Sequence, residues 1–161
     1  MYEIDYRRAT ILDLMAIKDF VDFWTAGVGC RLKVKGASDD FFIQPARHRD
    51  YINRYVVLVA MHCWRIVGWA VKQKDGTLIH LLVHAEYRGL GIGEKMLRML
   101  DPPKVRSKKD QSTGDPVGFY KKNGYVKLEK QPASKKGNIE VLVKQTAIVL
   151  FTKPVTNDCK T

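Results

Sequence analysis

Leu81-Leu82-Val83-His84-Ala85-Glu86-Tyr87-Arg88-Gly89-Leu90-Gly91-Ile92-Gly93 passes from an apolar run through a glycine-rich loop into a helical pattern. Ile92, Met96, Leu97, Met99 and Leu100 trace the apolar face of that helix, and Asp101-Pro102-Pro103 ends it. A helix N-terminus has free N–H groups and partial positive charge, so it favours an anion. Glycines adopt positive φ and let the backbone approach a phosphate closely. Arg88 adds a charged donor. Together these features suit a pyrophosphate. A Walker loop is excluded because Gly93 is followed by Glu94-Lys95, where Lys-Ser/Thr is needed. A dinucleotide fingerprint counted from Gly89 and Gly91 requires glycine where Glu94 stands. The remaining alternative is a glycine-rich turn with no ligand.

Working outward, Leu78 to Val83 reads as a strand bounded upstream by the turn signal Asp75-Gly76. Val56 to Cys63 and Ile66 to Lys72 form two β-rich runs joined by Trp64-Arg65, the pattern of a hairpin. At the N-terminal side, residues 2–8 alternate as a strand, and Thr10 with Asp13 forms a capping box for a helix carrying Ile11, Leu14, Met15, Ile17, Val21 and Trp24 up to Gly27. A second helix is expected to start near Ser38. On the C-terminal side come a short strand near Val105, a helix opened by Asp115-Pro116 and ended by Asn123-Gly124, and strands over about 125–130 and 139–152. The order β-α-α-β-β-β-α-β-α-β-β describes a mixed α/β (α+β) sheet with helices on its faces.

The chain has 161 residues, enough for one domain with its own core. Cys30, Cys63 and Cys159 are odd in number and lack metal-ligand spacing, so no metal is expected and a reducing cytoplasm suits them. The opening MYEIDYRRAT lacks the apolar core of a signal peptide, and the longest apolar run, Tyr55 to Met61, is too short to span a bilayer. Lys and Arg total 28 against 17 acids, a net charge of +11, which attracts polyanions. Much of the excess lies between Lys104 and Lys136. A nucleic acid, an anionic cofactor, an acidic protein or a merely solvated surface each answer that charge.

Arg88, Gly91 and Gly93 also occupy the fixed positions of Arg/Gln-x-x-Gly-x-Gly/Ala, and Phe119-Tyr120-Lys121-Lys122-Asn123-Gly124-Tyr125 follows at the right separation. In both motifs the chain resembles the GNAT superfamily of N-acetyltransferases, and the element order matches over residues 1–152, leaving 153–161 as a tail. The resemblance implies a central mixed sheet flanked by helices on both faces, with the fourth and fifth strands splayed around acetyl-CoA. It implies that the backbone at Leu82 and Val83 bonds the thioester and pantetheine arm. Arg88, Gly89, Leu90, Gly91, Ile92 and Gly93 are expected to hold the pyrophosphate.

By the same resemblance Tyr120 is the acid that protonates the leaving thiolate. Thr77 and Ile79 stand where some members carry a base, which leaves His80 as the imidazole candidate in that strand. Strand alternation points His80 away from the face of Ile79 unless a bulge re-aims it. The acceptor region supplies Trp24, Asp39, Asp40, Phe41 and Phe42, suited to a cationic amine, and also Arg31, Lys33, Lys35, Arg47 and Arg49, suited to an anion. Three activities follow: acetyl transfer to an amine of a small molecule or protein, acyl transfer directed at transfer RNA or a modified base, and a GNAT-like binding module without catalysis. A monomer or homodimer outside the membrane is expected.

Overall fold

The computed structural model describes residues 2–25, 43–109, 114–129 and 139–145. Strand β1 (Asp5–Arg8) leads through a 3-10 turn (Ile11–Asp13) into α1 (Leu14–Thr25), and α2 (Pro45–Arg54) precedes β2 (Val56–His62), β3 (Arg65–Lys72) and β4 (Thr77–Val83). A 3-10 turn (Ala85–Tyr87) and α3 (Ile92–Leu100) follow, then β5 (Lys104–Lys108), α4 (Val117–Lys122), β6 (Tyr125–Lys127) and β7 (Ile139–Lys144). The seven strands form one sheet in the order β1-β2-β3-β4-β5-β7-β6. Its pairings are antiparallel except for β4 with β5. Among the described residues no helix is long and apolar enough to cross a membrane.

Helices cover both faces. Ile17, Val21 and Trp24 of α1 and Tyr51 of α2 pack on Val57, Val59, Trp69 and Val71. On the other face Met96, Leu97 and Leu100 of α3, with Val117 and Tyr120 of α4, pack on Leu58, Val67, Leu78, Val105 and Leu142. Gly68 sits under α3, where an added Cβ would lie 2.8 Å from Met96 Sδ. The glycine therefore sets how closely that helix approaches the sheet.

Several boundaries differ from the sequence expectations. The described second helix begins at Pro45, whose missing N–H costs nothing in the first turn; Ser38 lies outside the described residues. Cys63 and Trp64, at φ 45° and 70°, make the hairpin turn, so Arg65 already belongs to β3. Two positive φ values are what a two-residue connection between twisted strands demands. Met99, placed on the apolar face of α3 by its spacing, is exposed. At the N-terminal cap, Asp13 Oδ2 takes the Thr10 N–H at 2.8 Å, but a 3-10 turn comes before the α-helix. The ends of the last two expected strands, Gly27 and residues 153–161 lie outside the described residues.

Candidate active site

The site is a parting of strands. β4 and β5 pair only at Thr77 with Lys104 and Leu78 with Val105, then separate. At that same level β4 carries a bulge: Lys72 pairs with Leu78 and Val71 with His80, which leaves Ile79 as the extra residue. A bulge bends its strand and increases the local twist, and here it accompanies the departure of β4 from β5. It also turns His80 onto the face of Ile79, against Trp69 and Tyr51, reversing the simple alternation.

Beyond the bulge, the His84 N–H donates to the Val67 carbonyl at 2.8 Å. This fixes the phase of the antiparallel ladder: the main chain of Leu82 faces β3, while the main-chain groups of Leu81 and Val83 face the opened edge. The Val83 main chain therefore lies on the opened edge, and Leu82, its main chain turned to β3, lines the cleft. The Val83 carbonyl accepts the Arg88 Nε–H at 3.1 Å, tying the start of the glycine loop to the end of the strand.

The loop's three glycines do different things. Gly89 and Gly91 have φ 78° and 80°, conformations that side chains rarely adopt, and nothing lies within 4 Å of where their Cβ atoms would be. That is open space beside bare backbone. Gly93 is instead packed, with Phe119 and Val83 each 3.5 Å from its would-be Cβ. Gly91 caps α3, and its carbonyl accepts the Lys95 N–H at 2.9 Å. The N–H groups of Ile92, Gly93 and Glu94 have no acceptor within the helix, as in any first turn. Leu90 is exposed on the loop. Free donors, open space and the helix dipole at one point fit a diphosphate.

The cleft between the strands holds an open cavity of about 50 Å³ lined by Trp69, His80, Leu82, Arg106, Lys108 and Tyr120, among others. Tyr120, only 4% exposed, touches Phe119 and Tyr125 edge-on. Burial raises its hydroxyl well above the ordinary phenol value, and the neighbouring Tyr125 adds to this. His80 is half-buried, with Nε2 3.2 Å from the Tyr51 hydroxyl. Burial lowers its pKa to about 3, and Lys108, His48, Arg106 and Arg47 push the same way, so the ring is neutral at physiological pH. His84 stands apart, its Nδ1 accepting the Glu86 N–H at 3.2 Å and its ring against Trp24.

The structure thus brings Tyr120 and His80 to one cleft, and β4 leads from that cleft through Val83 to the glycine loop. Arg106, Lys108 and Tyr51 were not singled out for this site from sequence. The signal was there: Lys104-Val105-Arg106-Ser107-Lys108 alternates, and a strand puts its three cations on one face.

Residues 53–127 match the model of the Acetyltransferase (GNAT) domain family. No curated protein matches the chain. Among solved structures, a GNAT-family acetyltransferase from Staphylococcus aureus Mu50 is similar at TM-score 0.64 and 14% identity, over 89% of this chain and 99% of that one. Arabidopsis thaliana Naa50, bound to the bisubstrate analogue CoA-Ac-MVNAL, gives TM-score 0.60 and 19% identity over 88% and 97% of the two chains. The ribosomal-protein-alanine N-acetyltransferase of Brucella melitensis gives 0.59 and 19% over 87% and 98%. The match spans both the glycine loop and the Tyr120 motif, so residues 53–127 are identified as a GNAT acetyltransferase domain, the mark of an acetyl-CoA-dependent N-acetyltransferase.

Proposed function

We propose that the protein transfers an acetyl group from acetyl-CoA directly to an amine of a small molecule or protein. The observation that carries this reading is the parting of β4 from β5, which leaves buried Tyr120 and His80 in one cleft on the strand that ends at the glycine loop. Acetyl-CoA supplies an activated thioester. Arg88 to Gly93 hold its pyrophosphate on backbone N–H groups, and the Val83 edge aligns the pantetheine arm. The amine must attack in its neutral form. Arg106 and Lys108 favour that form, because like charges disfavour an ammonium beside them. With a pKa near 3, His80 is too weak a base to strip an ammonium, so it accepts a hydrogen bond from the neutral amine and orients it. As the new N–C bond forms and the C–S bond breaks, the thiolate takes the Tyr120 proton and the proton left on nitrogen passes to water. Naa50, solved with a peptide-bearing CoA analogue, supports an amine as the acceptor class.

Calorimetric titration with acetyl-CoA tests the donor site. The wild type should bind, and Gly91→Glu should lose at least a hundredfold in affinity while remaining folded by circular dichroism. Equal binding by both proteins would remove the loop from the site.

A further inference from the structure

His80 lies one residue past the bulge, where β4 has parted from β5 and pairs with β3. Its stack on Trp69, with ring centroids 5.0 Å and planes 22° apart, fixes the plane of the imidazole. A stack does not fix the edges of that ring. The last torsion of a histidine side chain has two broad wells, and a half-turn about it exchanges nitrogen with carbon positions while the plane stays the same. The Tyr51 hydroxyl does distinguish the two. It stands 3.2 Å from Nε2, where the flipped ring would present a carbon.

Tyr51 is itself firmly held. It is buried on α2, stacks on Tyr55 with centroids 5.8 Å and planes 25° apart, and meets buried His48 edge-on. His48 in turn stands edge-on to Trp69 at 5.6 Å. The Arg47 guanidinium, one turn earlier on α2, acts on the same hydroxyl. The floor under His80 and the group at its edge thus belong to one packed unit that joins α2 to β3. Tyr51 stands behind His80 and is not among the residues that line the cleft.

This inference rests on the proposed acetyl transfer, in which His80 orients the amine. We propose that Tyr51 is a positioning residue of that step: of the two ring flips that the Trp69 stack admits, its hydroxyl selects the one in which His80 meets the acceptor. Tyr51 touches no substrate and acts through His80.

Tyr51→Phe tests this, because it keeps the packed ring and removes the hydroxyl. With labelled histidine, Overhauser contacts of the two His80 ring carbon-bound protons report which edge faces α2. The wild type should show one pattern, and Tyr51→Phe two patterns or their average. Acetyl transfer is followed on the best acceptor from a panel of free amino acids, polyamines and short peptides. Acceptor kcat/KM should fall about three- to tenfold in Tyr51→Phe, the worth of one neutral hydrogen bond, with acetyl-CoA affinity by calorimetry unchanged. In a His80→Phe background the same change should cost less than about twofold, because no imidazole is left to position. A loss that persists undiminished in that background, or a single wild-type ring pattern in Tyr51→Phe, overturns the inference and leaves the acetyltransferase reading intact. Full activity of His80→Phe alone does the same. Absence of acetyl-CoA binding by the wild type overturns the acetyltransferase reading itself, and this inference with it.

Discussion

The His80 imidazole lies nearly flat on the Trp69 indole, with ring centroids 5.0 Å apart and planes 22° apart. The bulge at Ile79 makes this contact, and the contact holds the ring between an apolar floor and a cationic wall. Both surroundings oppose protonation. The folded-state pKa near 3 lies below the unfolded value of 6.5. The unfolded chain therefore binds the extra proton first as pH falls. Stability from this group is fully present above pH 6.5 and is lost progressively between 6.5 and about 3. The upper bound is about 1.4 kcal/mol per pH unit, less for a ring facing an open cleft. His80→Phe keeps the stack and removes the titration. Urea unfolding at pH 7 and pH 4.5 should show a flatter pH dependence for the variant. His48, which burial also keeps neutral, remains in both proteins. Identical slopes would show that His80 is not held neutral.

A second acid-sensitive group sits at the opposite end of α1. Arg7 grips Asp13 through two hydrogen bonds of 2.9 and 2.8 Å, and the Thr10 N–H adds a third at 2.8 Å. The carboxyl is held down to about 2 from its ordinary 3.8, first by the Arg7 hydrogen bond. Here the folded pKa is the lower one. The contribution is present above pH 3.8 and disappears as pH falls through 2. Undamped it is worth about 2.5 kcal/mol, reduced to about 1 because Arg7 is 40% exposed. Asp13→Asn should cost about that much at pH 7 and progressively less as pH falls from 3.8 through 2, read as the difference in unfolding free energy.

Packing under α3 links stability to the donor site. A methyl group on Gly68 would meet Met96 Sδ at 2.8 Å, Ala60 Cβ at 3.1 Å and Ile92 Cγ2 at 3.3 Å. Gly68→Ala should therefore destabilise the fold by about 1–3 kcal/mol through overpacking. Ile92 and Met96 belong to α3, so whatever strain the buried Met96 side chain does not absorb lifts that helix, and the Gly91–Gly93 backbone moves with it. Acetyl-CoA affinity should fall together with the melting temperature. A variant that melts early but binds acetyl-CoA as tightly as the wild type would show that the loop is positioned independently of the helix.

The element order and both motifs were legible in the sequence because each rests on local signals: Pro116 at a helix start, Gly124 at φ 89° after a helix end, glycines before α3. The bulge was not. Thr77-Leu78-Ile79-His80 reads as plain alternation, and only pairing with Val71 and Lys72 reveals that Ile79 is extra. The site's cationic wall was hidden for a related reason. Arg106 and Lys108 look like part of a basic run until β5 is laid beside β4 and their shared face meets Trp69 and His80. What local chemistry dictates could be read, whereas strand partners at long sequence separation could not.

Tyr120 provides the sharpest test of the chemistry because its packing and its proton can be separated. The ring is 4% exposed between Phe119 and Tyr125, and Phe in its place would keep nearly all of that burial. Tyr120→Phe should therefore stay folded, with acetyl-CoA affinity and acceptor KM close to the wild type. What it removes is the proton for the departing thiolate, a contribution of about 10²–10⁴-fold where general acid catalysis operates. The loss should fall on kcat. Burial raises the hydroxyl pKa above its usual 10, so the wild-type acid keeps its proton through pH 9 and adds no alkaline limb there. A pH–rate profile of kcat should rise with the neutral amine and stay level to at least pH 9.5. An alkaline fall centred below that, or a Phe variant with unchanged kcat, would place the acid elsewhere and leave Tyr120 as part of the core alone.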